Sequence, residues 1–124
     1  MKEFAFMIGN CPGAMGEIAE ALGNEHVNIE GVAGLTVLEE GVVSMITSDD
    51  GKTRKILKGM GIDFEEREAL IMDLPHHAGE LGTVLDRLKQ DQINVLSVYA
   101  GVEKHQLVFT VDKIDRTKEI LRLE

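Results

Sequence analysis

This sequence predicts an α+β fold made of two copies of one small unit, and three observations predict it. Short apolar stretches that read as strands alternate with segments whose apolar residues recur at helical spacing. The order strand, helix, strand, strand, helix occurs twice along the 124 residues. Residues on corresponding faces also keep a constant separation: Gly13, Met15, Gly16, Ile18, Leu22 and Asn28 fall on Gly79, Leu81, Gly82, Val84, Leu88 and Asn94, each 66 positions on. Further along, Val43, Met45, Ile56 and Leu57 match Leu107, Phe109, Ile120 and Leu121 at a separation of 64. Such matching reads as an internal duplication.

The elements follow in order. Phe4, Phe6 and Ile8 form an alternating apolar stretch that Asn10 to Pro12 ends. Met15, Ile18, Ala19 and Leu22 make one face of a helix, with Glu17, Glu20 and Asn24 opposite. Val27 to Leu38 and Val42 to Thr47 read as a hairpin turned by Glu39-Glu40-Gly41. Ser48 is the expected N-cap of the next helix, whose buried face is read as Thr53, Ile56, Leu57 and Met60, and which Gly59 and Gly61 end. Ile62 to Met72 reads as one long or two consecutive strands with a polar middle, Glu65-Glu66-Arg67-Glu68. The boundary between halves is expected there, giving units 1–66 and 67–124. Asp112 takes the capping place of Ser48 in the second half. Each unit is thus expected to be a split βαβ, ferredoxin-like βαββαβ arrangement, an antiparallel sheet with both helices on one face. Too little chain follows Leu121 for a full last strand, so that strand is expected to be short, missing or supplied from elsewhere.

One device opens both halves. Asn10-Cys11-Pro12-Gly13-Ala14-Met15 carries the chain from strand to helix, and Asp73-Leu74-Pro75, then His76-His77-Ala78, leads into Gly79-Glu80-Leu81. Aligning Asn10 and Pro12 with Asp73 and Pro75 makes His76-His77-Ala78 an insertion of three residues. A strand that runs through a glycine into a helix leaves N–H groups converging on one spot, which suits a carboxylate. Cys11, Gly13, Ala14 and Met15 are the candidate donors, and Gly13 admits close approach because it lacks a Cβ. Asn10 and Asn28 are candidate acceptors for an ammonium group. Plain turn chemistry at Pro12-Gly13 is the competing reading, as is tolerance of an awkward helix-to-strand backbone at Asn28 and Asn94. Asp73 reads equally as a cap or charge complement for its helix.

Composition narrows the function classes. With 22 acidic and 13 basic side chains, a formal charge of −9 and 4% aromatic residues, the chain has neither a basic patch nor a base-stacking platform. Nucleic acid and anionic membranes are disfavoured partners. Cys11 is the only cysteine, so no intrachain disulfide forms. No signal peptide or membrane-spanning run is read, and a cytoplasmic location is expected. His76-His77 lacks the companion ligands of a metal cage, and Cys11 has no partner base fixed by the sequence, so no metal, cofactor or catalytic residue is assigned.

NCPGAMGEIAEALGNEHVNI and DLPHHAGELGTVLDRLKQDQINV both resemble the opening of an ACT domain: a polar residue, a spacer, Pro-Gly, a large apolar residue, an amphipathic helix, then Asn-Ile. Two copies with no attached enzyme resemble the stand-alone tandem ACT proteins. The resemblance implies a non-enzymatic regulatory protein that binds an amino acid or related small carboxylate where ACT units meet. It also implies a homodimer or larger assembly and a regulated protein partner. The ligand residues it implies are Asn10, Gly13 and Asn28, with Asn94 as the second-half counterpart; the full set of expected ligand contacts adds Cys11, Ala14, Met15 and Ile29 in the first half and Asp73, Gly79 and Leu81 in the second, and the first turn is expected to be the better contact. A ligand-free interaction module and a small hydrolase on the same fold are the alternatives. The latter would want an arginine in the first turn, and none lies between Met7 and Glu20.

Overall fold

The computed structural model describes residues 1–9, 11–100 and 105–123. Contacts divide the chain into two compact units, Met1–Arg67 and Glu68–Glu124. The first contains β1 (Lys2–Gly9), α1 (Ala14–Asn24), β2 (Ile29–Val37), β3 (Glu40–Thr47), α2 (Asp50–Gly59) and β4 (Phe64–Glu68), with sheet order β2-β3-β1-β4. The second contains β5 (Leu70–Asp73), α3 (Glu80–Gln90), β6 (Val95–Ala100), β7 (Gln106–Val111) and α4 (Ile114–Leu121), ordered β5-β7-β6. No described residue after α4 is in a strand, so the second sheet has three strands and β5 stands at its edge.

Burial follows the alternation of the strands and the stripes of the helices. In the first unit, Phe4 pairs with Met45 and Phe6 with Val43 across the antiparallel β1–β3 ladder. These four residues form a buried core with Ile18 and Leu22 of α1, Val27 and Leu57. The second core uses the counterparts: Leu70, Phe109, Leu107, Val84, Leu88, Ile93 and Leu121, joined by Val111. Glu3 lies on the other face of β1, fully buried, where it accepts from Arg67 Nη1 at 3.3 Å. That pairing meets the need of a buried carboxylate for a cation.

The second unit repeats the first down to its irregularities. The β2–β3 register slips between Ile29 and Gly31, and the β6–β7 register between Val95 and Ser97. Each bulge adds one residue just after Asn28 or Asn94.

Four local expectations are corrected. The hairpin turns at Leu38-Glu39, since Val37 already pairs with Glu40, and Leu38 takes a left-handed φ of 57°. Met60 follows α2 as its C-cap and is exposed, so it does not continue the buried face. Asp49 caps α2, its carboxylate accepting from Lys52 N–H at 3.0 Å. Ser48 Oγ instead accepts from the backbone N–H of Asn28. Asp112 likewise serves Asn94 and does not cap α4, whose N-cap is Lys113.

Candidate functional site

Both strand-to-helix turns are built alike. Gly13 and Gly79 hold the N-cap positions of α1 and α3 at φ of 85° and 90°. Neither helix has a side-chain cap. A left-handed N-cap favours glycine, and among the described residues no atom beyond the chain neighbours lies within 4 Å of where a Cβ would stand at either glycine. Ahead of each glycine the hydrogen bonds match one for one. Cys11 N–H donates to Gly9 O at 3.0 Å and Ala14 N–H to Cys11 O at 3.2 Å. The same bonds recur from His77 to Pro75 O at 2.9 Å and from Glu80 to His77 O at 3.3 Å.

This correspondence corrects the expected insertion. Across the ladders Phe4 sits opposite Met45 as Leu70 sits opposite Phe109, and Phe6 opposite Val43 as Met72 opposite Leu107. Strand and helix therefore share one separation of 66, and the two turns are equal in length. His76 stands at the position of Asn10, His77 at that of Cys11, and Ala78 at that of Pro12. Asp73 corresponds to Met7. The two prolines are not equivalent, because Pro75, two residues beyond β5, stands where the first unit has Gly9.

The expected ligand residues take the following places. Asn10 lies outside the described residues. Cys11 is exposed, and its N–H and that of Ala14 are committed within the turn, so two of the four expected donors are already occupied. Those of Met15 and Gly16 fall in the first helical turn, where N–H groups lack intrahelical acceptors. Met15 and Ile29 are half-buried and pack against the first core. Asn28 and Asn94 are exposed and held at their backbone N–H by Ser48 Oγ (2.8 Å) and Asp112 Oδ1 (3.0 Å). Asn94 Nδ2 also donates to Asp112 Oδ2 at 3.3 Å. Neither asparagine carries the left-handed backbone, which falls instead on His26 and Gln92. Asp73 is an exposed residue ending β5 and does not cap α3.

Gly79 and Leu81 come together on an open cavity of about 380 Å³ at the second turn. Its lining runs from Leu74 to Gly82 and adds Ala100, His105 and Gln106; Asp73 and Asn94 are not part of it. His105 is the residue that sequence reasoning missed. The β5–β7 pairing brings it beside the turn, where Leu74 N–H donates to its carbonyl at 2.7 Å and its ring lies 5.0 Å from that of His76, centroid to centroid. A complete hairpin register would have found it, since Gly41 stands at the same place in the first unit. Among the described residues no group of three or more His, Cys, Asp or Glu is arranged to hold a metal ion. Among the described residues, no helix is long and apolar enough to cross a membrane.

Comparison with known proteins supplies the family. The family profile described as an ACT domain pair matches residues 1–124. A search of curated proteins finds no match. Among solved structures, the chain is similar to protein BT0572 from Bacteroides thetaiotaomicron, with a TM-score of 0.86, 22% identity, and coverage of 98% of this chain and 85% of that one. It is also similar to the ligand-free regulatory subunit of aspartate kinase from Thermus thermophilus, with a TM-score of 0.70, 10% identity, and coverage of 98% and 88%. Aspartate kinase from Clostridium acetobutylicum matches with a TM-score of 0.68 and 14% identity over 98% of this chain, which spans 32% of that enzyme. With an ACT domain pair matched over its whole length and both units folded as that family requires, the chain belongs to the ACT domain family.

Proposed function

We propose that this protein is a non-catalytic sensor that binds a small amino acid, or a related carboxylate, at its strand-to-helix turns. The observation that carries the reading is the repeated turn: twice, a left-handed glycine opens an uncapped helix beside open space. The N–H groups that a side-chain cap would satisfy are left for a ligand carboxylate, and the positive end of the helix dipole favours it. Met15 and Gly16 offer the donors in the first turn, Leu81 and Gly82 in the second. Asn10, Asn28 and Asn94 are the proposed partners of the ammonium group. Output is by linkage: a ligand that contacts two units, within a homodimer or larger assembly, favours one packing of them and so alters affinity for a regulated protein. We place this activity in the cytoplasm.

A thermal-shift screen of the full chain against the common amino acids at millimolar concentration tests the reading. One or a few ligands are expected to raise the melting temperature in proportion to the logarithm of their concentration. Sizing with and without the hit should report a change in assembly. A flat screen at every concentration, with unchanged size, overturns the proposal.

A further inference from the structure

Three of the chain's four histidines converge on the second turn, and the first unit has no histidine at any of the three equivalent positions. His76, His77 and His105 stand where the first unit carries Asn10, Cys11 and Gly41. Gly41 pairs with Ile8 so closely that a Cβ there would lie 3.1 Å from Ile8 Cγ1. A side chain there would crowd Ile8, whereas the second turn supplies an imidazole at the same place. The two units share the described turn hydrogen bonds and the glycine geometry, and the histidines set the second turn apart.

We propose that these histidines make the second turn a site for a small dicarboxylate, such as an acidic amino acid, whose affinity rises on acidification. This rests on the reading that the turns bind carboxylate ligands. One carboxylate meets the N–H groups of the first turn of α3, and the second acid group meets the imidazoles. Among the described residues, Glu80 on α3 is the only other ionisable side chain lining the cavity; β7 contributes Gln106, and β6 contributes Ala100. Each imidazole that takes up a proton adds one positive charge to this lining beside Glu80. Imidazole is the side chain whose charge changes between about pH 5 and pH 8. The His76 and His105 rings, 5.0 Å apart, repel each other when both are charged, and a bound anion removes that cost.

The test is titration calorimetry of the full chain, in the presence of EDTA, with L-aspartate, succinate and L-alanine at about pH 6 and about pH 8. Net uptake of one proton strengthens binding up to about tenfold per pH unit. Aspartate and succinate are therefore expected to bind at least about tenfold more tightly at the lower pH, and alanine is not. The H76N/H105G variant, checked by circular dichroism, should lose that gain. Should the variant misfold, the wild-type chain titrated in two buffers of different ionisation enthalpy still reports the proton taken up with each diacid.

Diacid binding that is independent of pH, or the same gain in a folded variant, overturns the proposal. So does binding that appears only when zinc is added and EDTA omitted. If alanine binds and the diacids do not, this inference fails while the sensor reading stands. If succinate binds in the pH-dependent way and no amino acid does, the amino-acid form of the sensor reading fails, while its carboxylate form and the dicarboxylate site stand. Silence from all three probes defeats both.

Discussion

Ser48 Oγ accepts the backbone N–H of Asn28 at 2.8 Å, tying the end of β3 to the start of β2. The second unit makes the same tie with a stronger acceptor, Asp112, which takes both the backbone N–H and the side-chain amide of Asn94. Each tie sits beside the bulge that opens its strand. Ser48→Ala is expected to cost about 1 kcal/mol, and Asp112→Ala about 2 kcal/mol because two bonds to an ionised group are lost. Urea unfolding of the two variants measures the difference. Equal costs would mean that the second bond contributes nothing.

Gly13→Ala and Gly79→Ala place a Cβ in open space, so their cost is conformational and not steric. Each is expected to destabilise the chain by about 1 kcal/mol through the left-handed φ. Each should also weaken ligand binding at its own turn, by occupying the space a carboxylate needs. Thermal-shift titration of both variants against the screening hit identifies the turn that holds it.

Leu38 turns the β2–β3 hairpin at a φ of 57° with 93% of its surface exposed. The left-handed conformation strains leucine, and almost no burial offsets the strain. Leu38→Gly should therefore raise stability by about 0.5–1 kcal/mol, after the glycine's own entropy cost. An unchanged or lower urea midpoint would show that the turn relaxes around the leucine.

Arg54 and Glu66 form a two-pronged pair in the first unit, Nε with Oε1 and Nη2 with Oε2, the latter at 3.3 Å. The hydrogen bond from Arg54 holds the Glu66 carboxyl below the usual carboxylate range. A carboxyl lowered on folding contributes stability above its unfolded value, near pH 4.3, and that contribution is lost as pH falls through the folded value. Glu66→Gln should therefore melt lower than wild type at neutral pH, and the two curves should converge in acid. Because the pair is solvated, added salt should shrink the gap.

Much of this fold was legible in the sequence. The stripe of Ile18 and Leu22 and that of Val84 and Leu88 announced two helices and both cores, because helical spacing is a local property that burial then uses. The duplication was legible for the same reason. The caps were not. Ser48 and Asp112 are good helix-capping residue types, but the nearest donor in space belongs to a strand nineteen or so positions away in sequence, and no local pattern encodes that meeting.

By itself, then, the sequence determined two ferredoxin-like ACT units and their glycine-opened helices. The tertiary structure decided which residues of the two turns correspond. Matching the prolines put Asp73 in place of Asn10 and made the histidines an insertion, whereas the β1–β3 and β5–β7 ladders put His76 there and bring His105 alongside. The physical reason is that strand register is fixed by cross-strand pairing and by which face meets the core, and a proline at a strand end carries neither constraint.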